Sequence, residues 1–142
     1  MKNFRLWTNL TAKRADERQD GVLVNVPVKG TTKIFKGSLV NFTSGLANKG
    51  GDTSGDIFAG VCYDTVDNTG ADSAVNVTLW RSGVFKFDTT ESCTNANIGT
   101  KVYVLDDHTV AFVATTTNDV LVGRIVSVDS ANVVRVQITP AT

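Results

Sequence analysis

"DVLVGRIVSVDSANVVRVQIT", Asp119 to Thr139, reads as two strands joined by a turn. In its second strand Val134, Val136 and Ile138 alternate with Arg135 and Gln137, the period-2 pattern of a strand with one face buried. The polar run between the strands predicts a tight hairpin at Ser130-Ala131. The same order of features recurs in "DIFAGVCYDTVDNTGADSAVNVTLW", Asp56 to Trp80: an Asp, two apolar residues, a spacer, a Gly, a strand, a turn and a valine-alternating strand. Gly60 and Gly123 fall at matching positions. The two segments read as one hairpin used twice.

Outward from this pair, short strand signals separated by turns fill the chain from Gly21 onward. They lie at 21–28, 32–37, 38–43, 56–66, 74–80, 83–89, 100–106, 109–115, 120–129 and 132–139. "LWRSGVFKFDT" (79–89) breaks its alternation only at Ser82-Gly83, and "LDDHTV" predicts a hairpin centred on Asp107-His108. "DNTGAD" (67–72) places Gly70 where a positive φ is wanted, and "TSGLANKGGDTSGD" (43–56) reads as a long surface loop. No stretch of this region carries a 3.6-residue apolar period over a useful length. The predicted fold is all-β: a compact sandwich or barrel-like domain of about ten short strands over residues 21–142.

Residues 1–20 read differently, as an N-terminal arm. Phe4, Leu6, Trp7 and Leu10 form an apolar cluster, and "TAKRADERQDG" has Thr11 and Gly21 where a short helix would start and stop. A helix of about ten residues is too short to stand alone in water, so the arm is expected to dock on its own domain or on a neighbour.

The net charge is zero but unevenly placed: residues 1–49 carry +6 and residues 50–142 carry −6. A basic end suits an acidic partner. The basic residues are not interleaved with aromatics as a stacking surface for nucleic acid requires, so no nucleic-acid partner is expected. No window approaches the ~20 apolar residues of a membrane helix, so no membrane partner is expected either. Cys62 and Cys93 are too few for a disulfide framework, and whether they pair stays open.

Residues able to do chemistry are scarce. His108 is the sole histidine, in a turn beside Asp106 and Asp107, where a triad with a pocketed nucleophile is not expected. Asp52, Ser54 and Asp56 have the spacing of the first ligands of a calcium loop, but Ile57 and Tyr63 stand where that loop needs Gly and Glu. Asp64, Asp67 and Asp72 read as turn residues. No phosphate-binding glycine motif occurs, and neither a metal nor a cofactor is predicted. The chain reads as a binding or structural protein and not an enzyme.

The order of motifs from Val26 to Thr139 resembles the small bacteriophage capsid decoration, or cement, proteins. The resemblance rests on "IFKGSLV" with Gly37 and Val40, on Gly60-Val61, on Gly83-Val84-Phe85, on Gly99 with Val102 and Tyr103, and on Leu121-Val122-Gly123 followed by "VRVQI". It implies a homotrimer on the outer surface of the virion head, assembled in the host cytoplasm, that clamps neighbouring subunits of the major capsid protein. The arm and the polar loop at 43–56 depart from the family's pattern. In this frame the arm is the expected capsid contact: Phe4, Leu6, Trp7 and Leu10 as buried anchors, Arg5, Lys13, Arg14 and Arg18, with Lys2, as steering charges. The alternative function is a carbohydrate- or host-binding module of a tail or fibre, using Tyr63, Trp80, Tyr103 or the long loop.

Overall fold

The computed structural model describes residues 22–140. They form twelve strands: β1 (Leu23–Pro27), β2 (Thr32–Ile34), β3 (Leu39–Thr43), β4 (Leu46–Lys49), β5 (Ile57–Cys62), β6 (Val66–Asn68), β7 (Asn76–Trp80), β8 (Val84–Thr89), β9 (Lys101–Val104), β10 (Thr109–Ala111), β11 (Leu121–Ser130) and β12 (Val133–Ile138). The predicted all-β class holds, and a single helical turn, Asn95–Asn97, accompanies the strands among the described residues.

The first half builds a five-stranded sheet in the order β1-β7-β5-β3-β4, with β2 and β6 paired as a separate ribbon. The second half builds a closed barrel in the order β10-β8-β12-β11-β9. Numbered within its own half, each unit has the strand order 1-5-4-2-3. The echo between Gly60 and Gly123 is therefore one part of a duplication that runs through the whole described chain.

The correspondence extends to single hydrogen bonds. The Gly37 N–H donates to the Cys62 carbonyl at 2.9 Å and the Cys62 N–H to the Ser38 carbonyl at 2.9 Å. In the second half the Gly99 N–H donates to Ile125 at 2.8 Å and the Ile125 N–H to Thr100 at 3.0 Å. Both glycines have positive φ, 85° and 92°, which a residue without a Cβ adopts at no steric cost. Each half also carries a bulge at the same place: Ala59 is the extra residue where β5 meets β3, Val122 where β11 meets β9.

Closure differs between the halves. In the second, β10 runs parallel to β8 through Thr109↔Asp88 and Val110↔Thr89. In the first, one parallel bridge, Val28↔Ala47, joins the two edge strands. Two hydrophobic clusters result. The first half encloses Val28, Ile34, Val40, Ala47, Ala59, Cys62, Val77 and Leu79. The second encloses Val102, Val104, Val110, Val122, Ile125, Val134 and Val136 at matching interior positions, and takes in Leu39, Phe58 and Val61 from the outer face of the first sheet.

Three expectations are corrected. The run at 43–56 is not one long loop: Ser44 and Gly45 make a tight turn with φ of 50° and 82°, β4 follows, and Ala47 is fully buried. Gly70 does not take a positive φ; in that connection the positive φ, 66°, falls on Ser73. The β11–β12 turn sits one residue later than expected, at Ala131-Asn132, because Ser130 still pairs with Val133.

Candidate functional site

The arm residues predicted as the contact, Phe4, Arg5, Leu6, Trp7, Leu10, Lys13, Arg14 and Arg18, lie outside the described residues. What can be built from the chain is the set of groups available for chemistry and the surfaces available for contact.

His108 is at the tip of the β9–β10 hairpin, with its Nδ1 at 3.1 Å from Asp106 and 3.0 Å from Asp107. The hydrogen bond with Asp107 and the charge of Asp106 push its pKa up. Ser38 shares a shallow cleft with His108 and Asp107, but its hydroxyl donates to the Phe35 carbonyl. A solvent-facing imidazole held by its neighbouring carboxylates, beside a hydroxyl committed elsewhere, does not make an acyl-transfer pair. Ligand atoms of Asp106, Asp107 and His108 lie within 4.8 Å of one another, a grouping that three successive turn residues produce on their own.

Three aspartates serve the fold. Asp52 accepts the backbone N–H groups of Thr117 and Asn118, each at 2.8 Å, and the Thr117 bond leads in holding its carboxyl below the usual range. It ties the loop after β4 to the loop before β11. Asp56 accepts from Asn41 Nδ2 at 3.2 Å and Thr43 Oγ1 at 2.9 Å. Asp72 accepts the Gly30 N–H at 2.7 Å. The calcium-loop spacing at 52–56 is thus a product of two structural clasps.

Glu91 had no role in the sequence reading. Its carboxylate gathers the Phe112 N–H at 3.2 Å and the hydroxyls of Thr89 at 3.1 Å, Thr90 at 3.2 Å and Thr115. Partial burial pushes its pKa up, but the four hydrogen bonds outweigh this and hold it below the ordinary value. Glu91 is one of only two glutamates in the chain, the one signal that could have drawn attention to it. Cys62 and Cys93 are both free and buried, one in each core, and burial leads in pushing both thiols up.

Tyr63, Trp80 and Phe85 do not form a flat platform. Trp80 is half-buried, with the Tyr63 ring edge-on at 5.3 Å and 64° and Phe85 tilted against it at 6.3 Å. Sugar recognition by stacking needs an open ring face, and the ring of Trp80 is used between the two halves. Among the described residues no helix is long and apolar enough to cross a membrane.

The arrangement is therefore rich in surfaces and poor in reactive groups. Comparison with known proteins agrees: the family described as phage cement protein matches residues 18–140. No curated protein and no solved structure matches the chain. The match begins within the predicted arm and spans both halves of the duplicated fold. The chain belongs to the phage cement protein family.

Proposed function

We propose that the protein is a head decoration protein that binds the outside of the assembled capsid as a homotrimer and clamps neighbouring major capsid subunits, without catalysis. The observation that carries this reading is the family match across residues 18–140, on a fold in which Asp52, Asp56 and Glu91 are engaged in internal clasps. The mechanism is preferential binding. A protein that binds the assembled shell and not its dissociated subunits stabilises the shell by RT ln(1 + [L]/Kd) per site, so modest affinity repeated over many sites is enough. The arm supplies the capsid contact in this proposal, with Phe4, Leu6, Trp7 and Leu10 as anchors and Arg5, Lys13, Arg14 and Arg18 steering toward an acidic shell.

Sedimentation of the purified protein with undecorated heads tests both parts. Saturable co-sedimentation that weakens at least tenfold on removal of residues 1–20 is the expected result. Equal binding by the shortened chain would move the contact to the β domain, and no binding by either form would overturn the capsid assignment.

A further inference from the structure

The duplication leaves two surfaces without their counterparts. Inside the chain, the outer face of the first sheet lies on one end of the second barrel. Trp80 meets Phe85 there, the Leu39 N–H donates to the Asp107 carbonyl at 2.8 Å, and Phe58 and Val120 line one cleft. The covered end consists of the starts of β8 and β11 and the turn after β9.

Strand-by-strand correspondence places the same two surfaces elsewhere on the molecule. The outer face, Leu39, Phe58, Val61 and Trp80 in the first half, corresponds to Lys101, Leu121, Arg124 and Gln137 in the second, all exposed. The barrel end corresponds in the first half to the start of β1, the Ser44-Gly45 turn and Ile57. Ile57 is 49% exposed, whereas its counterpart Val120 is 4% exposed. The contact made once within the chain is offered a second time, open, at its two ends.

We propose that these ends meet between copies: the outer face of the second barrel of one copy seats on the open end of the first half of the next, repeating head to tail the contact inside the chain. This deepens the trimer proposed above and rests on it. Leu121 corresponds to Phe58 and Ile57 to Val120, so Leu121 of one copy faces Ile57 of the next. Lys101 then approaches the Ser44-Gly45 turn, as Leu39 approaches Asp107 inside the chain. A polar version of the face suits a surface that is exposed to water before assembly, while the inner version is covered as the chain folds.

Leu121 and Ile57 of one chain line the same cleft of about 280 Å³, so the two surfaces adjoin along one edge of the molecule. A head-to-tail contact closes into a ring where its rotation completes a full turn and runs on as a filament where it does not, and the trimer requires the first.

Sedimentation velocity on the full chain tests the proposal, with Ile57→Lys and Leu121→Glu made singly and together and the far-UV circular dichroism of each compared. The wild type is expected as a closed trimer, each single variant as a folded species with association weakened at least tenfold, and the double variant as a trimer again. A monomeric wild type overturns the proposal. So does a trimer that neither single variant disturbs, or one that is lost only when residues 1–20 are removed. Head binding measured on the same samples separates the two levels: a monomer that still co-sediments with heads refutes this contact and leaves the cement reading in place.

Discussion

Two glycines at matching positions carry the same steric demand. A Cβ on Gly60 would lie 2.3 Å from the Trp80 carbonyl oxygen, and one on Gly123 would lie 2.0 Å from that of Gln137. Both neighbours are backbone atoms of a paired strand, which cannot move without breaking the ladder. Gly60→Ala and Gly123→Ala are each expected to cost about 2–4 kcal/mol in urea unfolding. Gly45 has φ of 82° and open space around its Cβ position, so Gly45→Ala carries only the left-handed backbone cost, about 1–2 kcal/mol. Glu91 makes a different prediction. Its pKa is lowered in the folded state, as is that of Asp52, so the stability each contributes is present above the unfolded carboxylate range and is lost as pH falls below about 4. Glu91→Gln should lower stability at pH 7 by on the order of 1–2 kcal/mol and flatten the acid limb of a stability-versus-pH curve. An unchanged acid limb would show that the clasp at Thr115 and Phe112 does not matter.

At the scale of elements, strands with clean alternation were legible from the chain. Val77 and Leu79 point inward while Asn76 and Thr78 face out, and Val134, Val136 and Ile138 do the same in β12. The hairpin at Asp107-His108 and the pairing of Gly60 with Gly123 were legible too, because turn chemistry and a missing side chain are local properties. β4 was not. "LANK" is short, half polar and bounded by glycines, and what buries Ala47 is the parallel bridge to Val28, nineteen positions away in a strand the local pattern does not connect to it. β6 was hidden in the same way, merged into the β5 run, because its partner is β2 and not a neighbour in sequence. The arm at residues 1–20 lies outside the described residues, and both its boundary and its proposed contact are carried by the sequence alone.

At the scale of the molecule, the two halves have the same topology and different dependence. The second core includes Leu39, Phe58 and Val61 from the first half, so the second barrel is completed by its neighbour. Phe58→Ala should cost about 3–5 kcal/mol and keep a single unfolding transition, since it removes a side chain that joins the halves. Residues 83–142 expressed alone should lack the fixed near-ultraviolet circular dichroism of the full chain; a native-like spectrum would mean that the barrel does not need the first half. Only part of the duplication was legible, because matched interior positions such as Ala47 and Val110, or Cys62 and Ile125, share little beyond apolarity. The claim that reaches furthest is that the protein strengthens an assembled head. The direct test is the thermal disassembly temperature of undecorated heads titrated with the purified protein. The account predicts a rise that grows with protein concentration and levels off when the binding sites are filled. A disassembly temperature unmoved at saturating protein would contradict it.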